Sequence, residues 1–262
     1  MPSDKMISKV EDGVGWMIFN NPERHNAISL EMWEAALEIM ATFAADPSVR
    51  VMLVTGAGGK AFASGADISK FKDERQEAES LARYQATTQA AYKALQSMAI
   101  PTIAKVRGYC IGGGTAVAVC CDIRICSEGS KFGIPAAKLG LGYGLARAQP
   151  LVDLVGPAHA KEMFFTGRQL DAREAERIGL VNRVVPDDAL DAAVDEIAKA
   201  IVANAPLTVR CAKLVVGEAL KDAGDRDVAA TERAVEACFA SRDYKEGQAA
   251  FMEKRKPVFT GT

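Results

Sequence analysis

Residues 108–122 read GYCIGGGTAVAVCCD, and residues 61–67 read AFASGAD. In the first stretch three consecutive glycines run straight into an apolar segment with the character of a buried helix. Glycine costs a helix about 1 kcal/mol per residue relative to alanine. A chain that keeps three of them at a helix entrance has a use for bare backbone. If Gly112, Gly113 and Gly114 open the helix, its first amide N–H groups lack intrahelical partners and face outward with the positive end of the helix dipole. That arrangement stabilises negative charge, either on a bound anion or on an oxygen that becomes anionic during a reaction. The competing reading is that the glycines only let the helix pack closely on its neighbours.

Spacing removes the other familiar uses of glycine. A phosphate loop needs G-x-x-x-x-G-K followed by Ser or Thr, and Gly58-Gly59-Lys60-Ala61 offers neither the spacing nor the hydroxyl. The dinucleotide pattern G-x-G-x-x-G is absent from both loops. Only two histidines, His25 and His159, occur in the chain, and the six cysteines (Cys110, Cys120, Cys121, Cys126, Cys211, Cys238) contain no C-x-x-C pair. No metal site is expected, and the cysteines, most of them within apolar runs, read as reduced core residues.

The elements that must position the two loops alternate along the first half. WMIFN (16–20) reads as a short strand before the loop NPERHNAI. Ser29 caps a helix whose Leu30, Trp33, Leu37, Met40 and Phe43 recur at helical spacing, and Asp46-Pro47 ends it. VRVMLVTG (49–56) is continuously apolar, as a strand buried on both faces should be. A helix over roughly 79–98 turns Leu81, Tyr84, Ala91, Leu95 and Met98 inward, and Pro101 closes it. The strands TIAKVRG and DIRIC flank the triple-glycine segment. Such alternation predicts parallel β/α units, with both loops at the carboxyl ends of strands, where open sheets place ligands. Beyond about residue 155 the pattern becomes helical. DAREAERIG carries Asp171 as N-cap, Glu174 in the capping-box position and Gly179 as the stop. Helices near 188–203, 206–221 and 227–240 follow, before the charged tail FMEKRKP.

Length and charge narrow the class. A chain of 262 residues with 49% hydrophobic and 25% charged content supports one substantial core. A net charge of −2 gives no global attraction for nucleic acid. The beginning, MPSDKMISKVEDG, lacks a signal-peptide run, and nowhere do about 18 apolar residues follow one another without a charge. The expectation is a cytoplasmic protein with no membrane partner.

The motifs, taken in order, resemble the enoyl-CoA hydratase/isomerase, or crotonase, superfamily. They are N-P-x-x-x-N-A (21–27), AFASGADI (61–68), GYCIGGG (108–114), CDIRI (121–125), FGIP…KLGL (132–141), A-x-x-L-V-G…A…M-x-x-T-G (148–167), A-x-x-A-x-x-I-G-L-V-N-x-V-V-P (172–186) and FMEKRK near the end. The resemblance spans nearly the whole chain. It implies an α/β fold of the ClpP/crotonase type: a spiral of ββα units over residues 1–200 and a C-terminal helical trimerisation region over 201–262. It further implies a homotrimer, often paired into a homohexamer, and a CoA-thioester substrate with no separate cofactor. By the same resemblance the thioester oxygen sits between the backbone amides of Ala66 and Gly113. The substrate is lined by Ala27, Ala63, Gly65, Asp67, Ile68, Ile111, Gly112, Ala116, Pro135, Ala136 and Gly140.

The chain departs from the family where hydratases carry two glutamates. One belongs two residues past the glycine triplet and the other directly after the proline of F-G-x-P; here they are Ala116 and Ala136. Adding water across an enoyl thioester needs a base for the water and an acid for the α-carbon, each contributing roughly 10²–10⁴-fold. A methyl group does neither. What remains open is an acyl-CoA reaction that forms an enolate without a protein base, such as decarboxylation of a malonyl-type ester. Hydrolysis, isomerisation, or CoA binding without turnover are the alternatives. RNA binding, a side role of some relatives, is not supported by the acidic balance.

Tyr143 is the first candidate for a replacement acid, since a phenol with an ordinary pKa near 10 gives a proton more readily than it takes one. Its other reading is a wall of the acyl pocket. Asp67 is a possible base and more simply a helix cap; Asp122 is expected to satisfy backbone donors, Thr115 to be a helix residue and Lys138 a solvated charge. For the nucleotide end of CoA, Arg24 supplies a cation. By resemblance the backbone at Ala63, Ala66 and Ile68 holds adenine and pantetheine, while Phe251 and Lys254 cover the adenosine, in some relatives from a neighbouring subunit. The plain alternative for the KRK run is a solvated helix end.

Overall fold

Strand and helix propensities along the chain resolve into a repeated climb of two strands and a helix. The structure, a computed structural model, describes residues 4–67 and 78–262. Its strands are β1 (Met6–Glu11), β2 (Val14–Phe19), β3 (Val51–Gly56), β4 (Ala61–Ala63), β5 (Thr102–Val106), β6 (Tyr109–Ile111), β7 (Ile123–Ser127), β8 (Lys131–Gly133), β9 (Leu170–Asp171) and β10 (Arg183–Val185). The helices are α1 (Leu30–Ala45), α2 (Ala78–Gln96), α3 (Gly113–Cys120), α4 (Leu145–Thr166), α5 (Ala172–Arg177), α6 (Leu190–Ala203), α7 (Pro206–Ala219), α8 (Val228–Ala240) and α9 (Arg242–Met252). The larger sheet runs β1-β2-β3-β5-β7-β10 and the smaller runs β4-β6-β8-β9. Successive strands therefore alternate between the sheets: β3 then β4, β5 then β6, β7 then β8. This is the ββα spiral that the resemblance implies.

Pairing is parallel from β2 through β10 in the larger sheet and from β4 through β8 in the smaller. β1 and β9 join antiparallel. The apolar run in β3 is buried on both faces, as its sequence predicts. Met52 and Val54 enter the main core with α1 and α2, whereas Val51 and Leu53 join Ile103, Ile125 and Val194 of α6 on the opposite side. Alternating strand side chains thus glue two helical layers to one sheet.

Most of the anticipated elements are present. Ser29 caps α1 by accepting from the Met32 amide, and Trp33, Met40 and Phe43 are buried while Leu30 and Leu37 pack at the core margin. Four readings need correction. β1 went unread, because five of its six residues are exposed and its pattern lacks an apolar face. Leu81 does not point inward: it is 36% exposed, near the start of α2. Asp171 does cap α5, but the Glu174 carboxylate turns to Arg168 and makes no reciprocal capping-box bond. The tail beginning at Phe251 is in part the end of a further helix, α9.

The triple-glycine segment also differs from a simple strand-end loop. Each glycine stretch begins with a strand of the smaller sheet, Ala61–Ala63 or Tyr109–Ile111, so the loop proper is only the few residues that follow. Cys110, Cys120, Cys121 and Cys126 are buried as expected, and Cys211 and Cys238 are half-buried. Among the described residues, no single helix is long and apolar enough to cross a membrane and no cluster of ligating side chains could hold a metal ion.

Candidate active site

The first loop is fixed by the N-P-x-x-x-N-A motif. Asn26 is fully buried, accepts from the Asn21 amide at 2.9 Å, and donates to the carbonyls of Ala57 (3.0 Å) and Ala61 (2.7 Å). It ties the residue 21–27 turn to the start of β4. Ala27 is buried beside it, and Ile28 forms an isolated parallel bridge with Ala66. The Ile28 amide donates to the Gly65 carbonyl at 2.8 Å, and the Asp67 amide donates to the Ile28 carbonyl at 3.0 Å. In a parallel bridge the residue between those two bonds turns its own N–H and C=O the other way. Ala66 therefore directs its amide away from Ile28.

The second loop supplies its donor through a helix entrance. Gly112 precedes α3 with φ 57° and ψ −114°, a conformation that side chains disfavour, and Gly113 is the first helical residue. Gly114 is required by proximity: a Cβ there would overlap the Ala63 carbonyl. Thr115, buried in the same turn, donates its hydroxyl to the carbonyls of Cys110 (2.5 Å) and Gly133 (3.0 Å), which locks α3 onto β6 and β8. Thr115 is a helix residue, as read.

The two loops meet backbone to backbone. A Cβ on Gly113 would lie 3.5 Å from Gly65 Cα and 3.7 Å from the Gly65 carbonyl carbon, the atom bonded to the Ala66 nitrogen. A Cβ on Gly65 would lie 3.4 Å from the Gly113 nitrogen and 3.2 Å from the Ile111 carbonyl. Among the described residues, neither the Ala66 nor the Gly113 amide is paired within the backbone network. Two unspent N–H donors from separate turns of the spiral thus occupy one neighbourhood.

Around them the surroundings are apolar and phenolic. Ala116 is 1% exposed, one turn into α3, and Ala136 packs against the same apolar cluster from the short 3-10 helix Pro135–Leu139. Gly140 ends that helix in a left-handed conformation, φ 64°, and turns the chain towards Tyr143. The Tyr143 ring lies 4.9 Å from Phe164, with the Arg147 guanidinium 4.7 Å from its centre. Its hydroxyl is buried and has no hydrogen-bond partner among the described residues. Burial pushes the Tyr143 phenol well above its usual pKa, against the pull of Arg147, so it stays protonated at neutral pH. Tyr92 was not singled out from sequence. It stacks edge-on to Trp33 at 5.0 Å, and its hydroxyl is 3.5 Å from where a Gly113 Cβ would stand. Burial pushes its phenol up as well, reinforced by Tyr143, Tyr84 and Cys120. Nothing in one sequence signals that contact, since Tyr92 lies in an ordinary amphipathic helix 21 positions from Gly113.

The remaining candidates scatter. Asp67 is buried and pairs with Arg24 at 3.3 Å, while the Arg24 side chain stays half exposed. Ile68 lies outside the described residues, as does the start of any helix that Asp67 caps. Asp122 satisfies donors, as read: the Thr102 amide (2.7 Å) and hydroxyl (3.0 Å), and Lys213 Nζ (2.7 Å). Lys138 is exposed. Phe251, 83% exposed, lines an open groove of about 570 Å³ with Phe239, Tyr244 and Phe259, and Lys254 follows α9 with φ 55°. Asp67, next to Ala66, brings Arg24 to the first loop, whereas Asp122 is tied to β5 and α7 and Phe251 to the groove beside α9.

Fold and site together define a ββα-spiral protein with two main-chain donors, unpaired within the backbone network of the described residues, close to where its loops touch. Residues 9–262 match the family model described as enoyl-CoA hydratase/isomerase. A protein named crotonyl-CoA hydratase from Syntrophomonas wolfei is 35% identical over 259 residues, with 99% of each chain covered. A protein named short-chain-enoyl-CoA hydratase from Clostridium acetobutylicum is 35% identical, covering 98% of this chain and 97% of that one. Among solved structures, an enoyl-CoA hydratase/carnithine racemase from Magnetospirillum magneticum superposes with a TM-score of 0.94 at 38% identity, covering 99% of this chain and 97% of that one. An enoyl-CoA hydratase from Bacillus anthracis gives 0.92 at 30% identity, covering 99% and 100%. The chain belongs to the enoyl-CoA hydratase/isomerase family.

Proposed function

We propose that this enzyme acts on an acyl-CoA thioester by stabilising its enolate between the amides of Ala66 and Gly113, and that it does not hydrate enoyl-CoA by the two-glutamate route. One observation carries the reading: the amide pair is intact and unspent, while the positions that would bear the acid and base are the methyl groups of Ala116 and Ala136. Paired donors aimed at a developing oxyanion are worth roughly 10²–10³ in rate each. They serve any reaction that places charge on the thioester oxygen.

Decarboxylation of a malonyl-type thioester suits such a site. The bond from the α-carbon to the carboxylate breaks, carbon dioxide leaves, and the electron pair passes to the thioester oxygen. The enolate then takes a proton at the α-carbon. Tyr143 is the donor in this reading, its phenol protonated at neutral pH and its hydroxyl unengaged; solvent restores its proton afterwards. The charge balance agrees. The acid nearest the loops, Asp67, pairs with Arg24, and Arg147 beside Tyr143 contributes a cation. A substrate carboxylate meets attraction there.

Arg24 at the mouth and the backbone at Ala63, Gly65, Ile68, Ile111 and Gly112 would hold the CoA moiety, which the substrate itself brings; no other cofactor is needed. The exposed apolar side chains of α7, α8 and α9, among them Val216, Phe239, Phe251 and Met252, favour a homotrimer or homohexamer assembled through residues 201–262, acting in the cytoplasm. In that assembly Phe251 and Lys254 could reach a neighbouring subunit's nucleotide.

Turnover across enoyl-, malonyl- and β-ketoacyl-CoA esters tests the reading. Carbon dioxide release from a malonyl-type ester, with crotonyl-CoA hydration far below that of a two-glutamate relative, is expected. A comparable hydration rate overturns it. Tight CoA-ester binding with no turnover on any of them assigns the protein to ligand binding alone.

A further inference from the structure

Far from the glycine loops, two arginines share a cavity without an acid between them. Arg50 stands immediately before β3, its amide held by the Gly13 carbonyl at 2.7 Å. Arg210 lies in the second turn of α7. Both line a small, partly open cavity of about 60 Å³, together with Pro206 at the start of α7 and Thr260 and Gly261 near the end of the chain. Arg50 Nη1 and Arg210 Nε are buried with no hydrogen-bond partner among the described residues. Arg50 Nη2 reaches only the carbonyls of Phe259 and Thr260, each at 3.4 Å. Among the described residues neither guanidinium makes an ion pair, although 17 such pairs form elsewhere.

The acids tied to the lining segments hold other donors. Asp243 accepts from the Thr260 amide (2.8 Å) and the Gly261 amide (2.8 Å), and Asp46 accepts from the Ser48 amide (2.8 Å) and hydroxyl (2.7 Å). Buried donors without acceptors are costly, the more so when charged, and two like charges facing one cavity add repulsion. An anion relieves both. The planar guanidinium fork matches the oxygen edges of phosphate-like groups, and the amino end of the 14-residue α7 adds its partial positive charge.

We infer that Arg50 and Arg210 form a binding site for one small oxyanion of the phosphate class, separate from the thioester site, which pins the chain end and α7 to the sheet. The separation follows from topology. Arg50 sits at the amino end of β3, and the six residues of β3 carry the chain about 20 Å to the end that leads into the first glycine loop.

Calorimetric titration of the whole protein with inorganic phosphate, in chloride buffer at constant ionic strength, tests the inference, with glycerol 3-phosphate as a second arm. Saturable binding of one phosphate per chain is expected, with a rise in thermal midpoint that levels off. Arg50→Met and Arg210→Met should each weaken binding at least tenfold and leave acyl-CoA turnover unchanged. Binding of the ester as well would show that the cavity opens to a phosphate carried on a larger ligand; binding of inorganic phosphate alone would show a free-ion site. The site is refuted if neither compound gives saturable binding to the unmodified protein, a result that needs no variant to fold. It is equally refuted if both variants fold and bind like the parent, or if the midpoint rises without saturating, as it does for an adventitious ion only.

Discussion

Gly113 and Ala116 sit one turn apart in α3, and in the proposed reaction one presents a donor while the other supplies no acid. Proline is tolerated at the first position of a helix, where its missing N–H costs no intrahelical bond. A Cβ on Gly113 would meet its neighbours no closer than 3.5 Å. Gly113→Pro should therefore keep the protein folded, with a melting temperature near that of the parent, and lower kcat by roughly 10²–10³-fold. Steady-state kinetics beside a thermal melt checks both halves. Tyr143 makes the converse case. Its hydroxyl is buried and unpartnered, so Tyr143→Phe should stabilise the protein by about 1 kcal/mol in urea denaturation. The same variant should reduce turnover if the phenol supplies the α-proton. A variant that neither gains stability nor loses rate would mean the hydroxyl has a partner and no part in the chemistry.

At the scale of elements, α3 is anchored at its far end as well as at its glycines. Arg124 is buried and donates to the carbonyls of Cys121 (2.5 Å) and Leu180 (2.8 Å), placing a cation where the helix leaves its last carbonyls free. Next to it, Asp122 joins β5 to α7 through the Thr102 amide and Lys213. Asp122→Ala strands that amide and leaves the ammonium only the Ile100 carbonyl (2.9 Å), and should cost about 2 kcal/mol. Lys213→Met removes only one partner of a half-exposed carboxylate, so about 1 kcal/mol is expected. Equilibrium denaturation of the two variants orders these costs; the reverse order would place the weight of the clasp on the ion pair.

Across the whole molecule, burial of uncharged acids sets the alkaline limit. Burial pushes the Cys120 thiol up to about 11 and Cys126 to about 12, and raises Cys110, Cys121, Tyr92 and Tyr143 as well. These groups bind their protons more tightly when folded. Their contribution is intact below the unfolded thiol pKa of about 8.5 and falls as pH rises through the folded values. Unfolding free energy should hold level between pH 7 and 8 and decline steadily above about 9, which denaturation at a series of pH values would measure. For assembly, light scattering should give three or six times the 27.9 kDa chain, and Val216→Glu should shift it towards the single chain. A monomer at micromolar concentration would leave the apolar faces of α7 to α9 without a purpose.

The sequence by itself determined what short-range physics encodes: the doubly buried strand at 49–56, the Ser29 and Asp171 caps, and the glycine triplet opening a helix. Composition and spacing suffice there, because each depends on a residue and its near neighbours. It left the exposed β1 unread, since a strand paired along one edge needs no apolar pattern, and it placed Leu81 inward because spacing alone cannot tell which end of a helix reaches the core. Only the tertiary structure decided which distant groups meet. Gly65 comes against Gly113, and Tyr92 beside it, because alternate strands of the spiral stack in register. Arg50 and Arg210 share one cavity, 160 positions apart, for the same kind of reason: the end of the chain folds back across the sheet, and no local pattern records where a chain returns.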